Sequence, residues 1–103
     1  MPELIHKESF VFDKVAKGNP AMRIMDFLIQ NKDKDFTITE ISEGSEVGRT
    51  TIWNGLLEHL SDEGLIIKTR NVGNAKMYRL NKEDEKVRAL ISLHNSLREH
   101  QNV

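Results

Sequence analysis

The most concentrated chemistry in this sequence is a run of basic side chains near its middle. Between Gly64 and Lys82 there is no acidic residue, so the stretch carries a charge of +5, whereas the whole chain has a net charge of −1. A basic segment on an acidic body is suited to contact phosphate, although chance clustering on a solvated hairpin is an alternative. Its phosphate-binding candidates are Lys68, Arg70, Lys76 and Arg79, and Asn74 is a polar candidate beside them. Lys68 and Arg79 have a second possible role, in ion pairs with acids of the body.

A second candidate group stands at the start of the segment 49–63, which reads as a helix. If Ile52 points inward, its polar and aromatic neighbours point outward, and their chemistry suits a nucleic acid. Arg49 can bind a guanine edge or a phosphate, and Asn54 an adenine edge. This outward group consists of Arg49, Thr50, Thr51, Trp53 and Asn54. The alternatives are an exposed helix without a partner and a Trp53 that folds back onto the domain.

The sequence lacks the residues that disulfides, metal sites and the common catalytic motifs require. The chain has no cysteine, which excludes disulfides, thiolate metal sites and cysteine nucleophiles. Its histidines, His6, His59, His94 and His100, do not form a convincing metal set. We find no phosphate-binding glycine loop, nucleophile elbow or paired carboxylates beside a pocket, and Asp33 and Asp35 are expected to be solvated in a polar loop. The sequence therefore predicts no enzyme, no cofactor and no metal.

The length and composition of the chain limit the number of domains that it can form. A chain of 103 residues with 38% hydrophobic and 30% charged residues is expected to form one soluble domain, residues 1–103, with a single core. No run approaches the roughly 20 apolar residues of a membrane span, and no signal peptide is evident, so we expect a cytoplasmic protein without a membrane partner.

The first half of the chain predicts three helices. Residues 1–17 form a short element that the pattern leaves open as helix or strand. Asn19 and Pro20 suit the N-cap and first position of a helix over 20–30. A brief strand follows over 36–38, and Thr39 is expected to begin a short helix that ends before Gly44. The third helix, 49–63, places Ile52, Leu56 and Leu60 on one face and ends at Gly64.

The second half predicts a β-hairpin and a last helix. Strands over 65–70 and 76–80 flank a turn in which Gly73 supplies a positive φ, and Tyr78 and Leu80 share a buried face. An amphipathic helix follows over 83–100. On so small a domain, this helix and the segment 1–17 are expected to form a dimer interface, although both could instead pack on their own domain. The expected interface residues are Phe10, Phe12, Val87, Leu90, Ile91, His94 and Leu97.

These motifs occur in an order that resembles winged-helix transcriptional regulators. The run TEISEGSEVGRTTIW (39–53) resembles their helix-turn-helix, LEHLSDEGLI (57–66) the end of the recognition helix and entry to the wing, and RNVGNAKMYRLN (70–81) the wing. Gly18–Asn19–Pro20 followed by IMDFL (24–28) resembles the first helix of small archaeal regulators of this kind, and ArsR-like and MarR-like repressors share the layout. The resemblance covers residues 18–82 and implies an α+β, mainly α, winged helix-turn-helix with a C-terminal hairpin wing and an additional C-terminal helix.

The sequence also departs from that family. Glu46 stands where relatives often have glycine in the turn, and a left-handed backbone there would cost about 1 kcal/mol. Gly48 replaces the usual Ser or Thr cap of the recognition helix. The stretch 49–64 is about one residue longer than in many relatives, which affects the register around Leu57–Leu60 and the orientation of His59.

The resemblance implies a sequence-specific regulator of transcription that binds double-stranded DNA, with repression by a homodimer as the expected mode. Helix 49–63 of each subunit would enter a major groove, the two grooves about 34–36 Å apart, and the wing 66–80 would contact the backbone or minor groove. The alternative is a winged-helix module that binds another protein and reads no DNA sequence. Nothing in the sequence marks a small-molecule effector site.

Overall fold

The computed structural model describes residues 10–101, and their fold is α+β and mainly helical, as predicted. The first nine residues of the expected dimerisation segment, Leu4 and Ile5 among them, lie outside this range. In chain order the elements are a 3₁₀ helix (Val11–Lys14), α1 (Pro20–Gln30), β1 (Phe36–Thr37), α2 (Ile38–Ser45), α3 (Arg49–Thr51), α4 (Leu57–Asp62), β2 (Ile66–Val72), β3 (Ala75–Leu80) and α5 (Glu85–Gln101).

Helix α1 is the central element of the core, and its bounds are those predicted. The Asn19 side chain accepts a hydrogen bond from the Met22 amide at 3.0 Å, and Pro20 occupies the first turn. Six consecutive residues from Ile24 to Ile29 are buried. A helix that is buried on this many sides must be surrounded by other elements, which here are the 3₁₀ helix, α2 and the sheet.

The N-cap of helix α2 lies two residues before Thr39, the residue at which the helix was expected to begin. Thr37, not Thr39, is the N-cap: its hydroxyl accepts from the Glu40 amide at 3.2 Å, while the Glu40 carboxylate accepts from the Thr37 amide at 2.9 Å. The Thr39 prediction is wrong because the pattern S/T-x-x-E is complete only when it is counted from Thr37.

The end of α2 also differs from the prediction. Gly44 lies inside the helix, where a Cβ would overlap the Phe27 ring, so this glycine permits close contact between α1 and α2. The helix ends at Glu46, whose φ of +59° is left-handed, as the departure from the family pattern suggested.

The predicted single helix 49–63 is broken. Asn54 (φ −78°, ψ 15°) and Gly55 (φ 102°, ψ 8°) leave helical geometry between α3 and α4. The buried residues are Ile52, Leu57 and Leu60, so the spacing from Ile52 to Leu57 holds one residue more than the helical spacing of four. Gly55 accommodates this extra residue because only glycine adopts such a φ without strain. His59 is consequently exposed.

The three strands form an antiparallel sheet in the order β1-β3-β2. The β2–β3 hairpin is confirmed, with a turn narrower than predicted because Val72 already pairs with Ala75 and Gly73 has a φ of +62°. Between Lys68 and Arg70 the register shifts by one residue, which leaves Thr69 as a bulge. Strand β3 is the central strand, and its neighbouring residues Met77 and Tyr78 are both buried although they point to opposite faces of the sheet.

A buried carboxylate attaches both ends of the described chain to α1. Asp26 is fully buried and accepts hydrogen bonds from the Phe12 amide at 2.7 Å and from Gln30 Nε2 at 2.9 Å. The His94 Nε2 atom lies 2.8 Å from the same carboxylate, and the His94 ring contacts Phe12 edge-on. The 3₁₀ helix, α1 and α5 therefore meet at one charged group.

This arrangement changes the expected dimer interface. Phe12, Val87 and His94 are buried within the protomer, so the alternative of packing on the same domain holds for these three. Phe10 is half-buried beneath the Arg23 guanidinium. The half-buried Leu90, Ile91 and Leu97 pack against the same core. A homodimer stays a prediction, and the residues expected to line it are mainly occupied inside one chain.

Replacing His94 with alanine tests the Asp26 network. The substitution removes a buried partner of the carboxylate, and we expect the free energy of unfolding to fall by about 3–5 kcal/mol. Urea denaturation monitored by circular dichroism measures the change. Asn95→Ala, on the exposed side of the same helix, is the control and should stay within about 0.5 kcal/mol of the parent. Equal stability of the two variants would contradict the proposed importance of the network.

Replacing Gly55 with alanine tests the break between α3 and α4, because a break and a continuous helix predict opposite changes in the free energy of unfolding. At a φ of 102° alanine is strained, so we expect a loss of about 1–3 kcal/mol. In a continuous helix the same substitution would stabilise by about 0.5–1 kcal/mol. His59→Ala, exposed on α4, serves as control, and thermal or urea unfolding is the measurement. A stabilised Gly55→Ala variant would mean that residues 49–62 form one helix in solution.

Candidate nucleic-acid interface

An open groove of about 450 Å³ lies between the start of α2, the α3–α4 region and the tip of the hairpin. Its deep part is formed by the buried side chains of Ile52, Leu57 and Tyr78, whereas Trp53 and Lys76 are exposed at its edge. The other lining residues are Thr37, Ile38, Thr39, Arg49, Gly55, Glu58, Asn74 and Ala75. The groove therefore combines an apolar base with a charged edge.

Trp53 is the largest exposed side chain along this groove. Its relative exposure is 69%, and Ile52 beside it is 3% exposed, so the outward orientation predicted for the indole is confirmed and it does not fold back into the core. Exposed aromatic side chains of this size often mark a contact surface.

The other polar residues predicted for the recognition helix lie on α3 or directly before the break at Gly55. Arg49, Thr50, Thr51 and Asn54 are all exposed, but only Arg49 of these four lines the groove. Asn54 stands at the break, where its ψ of 15° departs from helical geometry. The polar group predicted from sequence is thus divided between the groove and the adjoining surface.

The hairpin cations fall into two groups, those without an ion pair and those that are already paired. Lys76 lies in the groove with Asn74, and Lys68 is exposed on β2 outside it. Within the part of the chain that the structure describes, neither Arg49, Lys68 nor Lys76 makes an ion pair. These three side chains are available to an anionic partner.

Arg70 is in the second group because it is already paired. Its Nε donates to Asp35 Oδ2 at 3.0 Å and its Nη2 to Oδ1 at 3.4 Å, and the Thr69 hydroxyl donates to the same carboxylate at 2.7 Å. The Arg70 hydrogen bond lowers the pKa of Asp35, and Asp35 in turn raises the pKa of Arg70. The prediction that Asp35 is merely solvated is wrong, since β1 and β3 pair and bring it to the hairpin.

Lys82 is also neutralised, by an ion pair with Asp33 that lowers the pKa of this carboxyl. Arg79 is half-buried and lies outside the groove. The +5 charge of the segment 64–82 is consequently reduced where it meets the body. Three cations of the segment make no ion pair among the described residues, and of these Lys68 and Lys76 are exposed whereas Arg79 is half-buried.

Sequence reasoning did not assign Tyr78 or Glu58 to a binding surface, and both line the groove. Burial raises the pKa of the Tyr78 hydroxyl, and the negative charge of Glu58 adds to the effect. The sequence predicts Tyr78 in the core, and it is buried, but it also forms part of the groove surface. No local pattern joins Glu58 to Tyr78, because their proximity depends on the packing of α4 against the sheet.

Metal binding and membrane insertion find no support within residues 10–101. This region contains no group of three or more His, Asp or Glu residues placed to hold a metal ion. None of its helices combines the length and apolar character needed to span a bilayer.

The chain was compared with protein-family models, with curated proteins and with solved structures. None of the three comparisons finds a match.

Proposed function

We propose that this domain binds DNA through the surface formed by α3 and the β2–β3 hairpin. The observation that carries the proposal is the pair of cations Arg49 and Lys76, which lie on one groove and have no acidic partner among the described residues. Phosphate oxygens are suited to such a site, because each contact releases counterions from the DNA. Thr50, Thr51 and Asn54 add exposed hydrogen-bonding groups beside it.

The order of elements supports a winged-helix layout as part of this proposal. Helix α1, strand β1, helices α2 to α4 and the hairpin follow one another as in the regulators that the sequence resembles. In that arrangement α3 approaches a major groove, and Lys68 and Lys76 of the hairpin contact the backbone. A homodimer that represses transcription on a two-fold site is the extended form of the proposal, and it rests on the resemblance.

Binding of a protein partner is the second candidate, and specific observations favour it. Arg70 and Lys82 are neutralised by Asp35 and Asp33, the chain has a net charge of −1, and Trp53 is exposed. A protein interface needs an exposed aromatic anchor more than it needs positive charge. Salt dependence separates the two functions, since binding to DNA must weaken steeply with added salt.

Alanine substitutions test which cations bind the DNA phosphates. We expect Arg49→Ala and Lys76→Ala to weaken binding to all duplexes alike. Each substitution that removes one phosphate interaction should also reduce the slope of log K against log salt concentration by about 1. Arg70→Ala should have a smaller effect because Asp35 already neutralises this side chain. Asn54→Ala should discriminate between sequences, by about 1–3 kcal/mol at a preferred site.

The measurement is fluorescence anisotropy of a labelled duplex from the region upstream of the gene, compared with a scrambled duplex at two salt concentrations. Arg88→Ala, an exposed cation on α5 away from the groove, is the matched control. Binding that does not respond to salt, or Arg49→Ala and Lys76→Ala variants that bind like Arg88→Ala, would exclude DNA binding by this surface and favour a protein partner.

A further inference from the structure

The groove beside Trp53 has features that a paired duplex does not use. Within a duplex the flat faces of the bases are stacked on one another, and only their edges are accessible in the grooves. The exposed indole at the edge of this apolar depression offers a flat π surface, which is suited to the flat face of a ligand rather than to its edge. The shape therefore matches a base that has left the stack.

We propose that this groove binds an unpaired nucleobase, stacked on Trp53, with the adjoining phosphates on Arg49 and Lys76. The inference rests on the proposed nucleic-acid binding and deepens it, because it assigns the substrate class: a single strand, or a duplex with an unpaired base. Stacking on aromatic side chains combined with a cationic groove is the usual basis of single-strand binding.

The size of the groove agrees with this occupant. Its volume of about 450 Å³ lies within the range of about 300–1,000 Å³ typical of small-ligand sites. One nucleotide can enter a depression of this size, whereas a double helix can only rest on its edge. The buried side chains of Ile52 and Leu57 at its base supply the apolar contact that a desolvated base requires.

The distribution of charge sets the orientation of the nucleotide. Arg49 and Lys76 line the groove without an acidic partner among residues 10–101, so phosphate is favoured beside them. Glu58 also lines the groove and is close enough to Tyr78 to affect its hydroxyl electrostatically. Because a carboxylate repels phosphate and accepts N–H groups, the base edge is directed toward Glu58 and the backbone toward the two cations.

Trp53 is the only tryptophan in the chain, so its fluorescence reports on this site directly. The full chain is titrated with three probes of matched sequence: a single-stranded oligonucleotide of about twelve nucleotides, the perfect duplex, and the duplex with one unpaired base. We expect the single strand and the bulged duplex to quench Trp53 more than the perfect duplex does, and to bind more tightly than it does.

Variants separate stacking from general attraction. Because variants at Trp53 lack the only tryptophan, their binding is followed by the fluorescence anisotropy of the same probes carrying a label. We expect Trp53→Ala to weaken binding of the single strand and the bulged duplex by about 10- to 100-fold, with little effect on the perfect duplex. Trp53→Phe should retain most of the affinity because it keeps an aromatic face. Leu93→Ala, an exposed apolar position on α5 outside both the groove and the hairpin, is the control and should leave all three affinities unchanged.

The outcomes distinguish this inference from the proposed function. Salt-sensitive duplex binding without preference for an unpaired base, or without weakening in Trp53→Ala, would overturn the inference and leave DNA binding intact. Binding of the single strand but not of the duplex would overturn the duplex-binding proposal and support the base site. Absence of binding to every probe at low salt would overturn both.

Discussion

The buried Asp26 carboxylate is the group on which the arrangement of the helices depends. Burial of an ionised carboxylate is costly unless hydrogen bonds replace its water, and here three donors from separate parts of the chain converge on it. Two of them, the Phe12 amide and His94 Nε2, come from other elements, the 3₁₀ helix and α5. With the hydrogen on Nε2, His94 donates to Asp26 and its Nδ1 has no partner within the described chain. The charge thus selects one packing of the 3₁₀ helix and α5 on α1.

From α1, a series of packing contacts and backbone turns leads to the groove. Gly44 lets α2 approach the Phe27 ring, and the Phe27 ring packs against Phe36 with centroids 4.8 Å apart, which fixes β1 beside α1. The left-handed turn at Glu46 then directs the chain into α3, and the break at Gly55 redirects it into α4. The first two steps depend on the Phe27 ring and its neighbours, and the last two depend on the backbone conformations of Glu46 and Gly55. The position of Trp53 is therefore set by the core, although Trp53 itself is exposed.

Local signals predicted the elements they control, and long-range contacts account for the remainder. Asn19 with Pro20 defines the start of α1 through neighbouring atoms, so its position was predictable. The break at Gly55 was not predictable, because glycine inside a helical pattern is usually tolerated. The burial of Leu57 in place of Leu56 shows that the helix changes register there. The groove could not be predicted from the sequence either, because it brings Glu58 and Tyr78 together across the fold. Exposure of Trp53 was predictable because its neighbour Ile52 is apolar.

The role of the basic segment is the clearest case in which composition and structure differ. Counting charges makes Arg70 and Lys76 equivalent, yet Asp35 binds Arg70 together with Thr69, the residue of the β2 bulge. That contact holds the bulge against the loop before β1, so Arg70 serves the geometry of the hairpin. Lys76, which lies opposite Asn71 close to the hairpin turn, has no such function and lines the groove. Because a phosphate would have to displace Asp35 to reach Arg70 but meets Lys76 directly, the sheet that neutralises one cation also determines which cation is available for recognition.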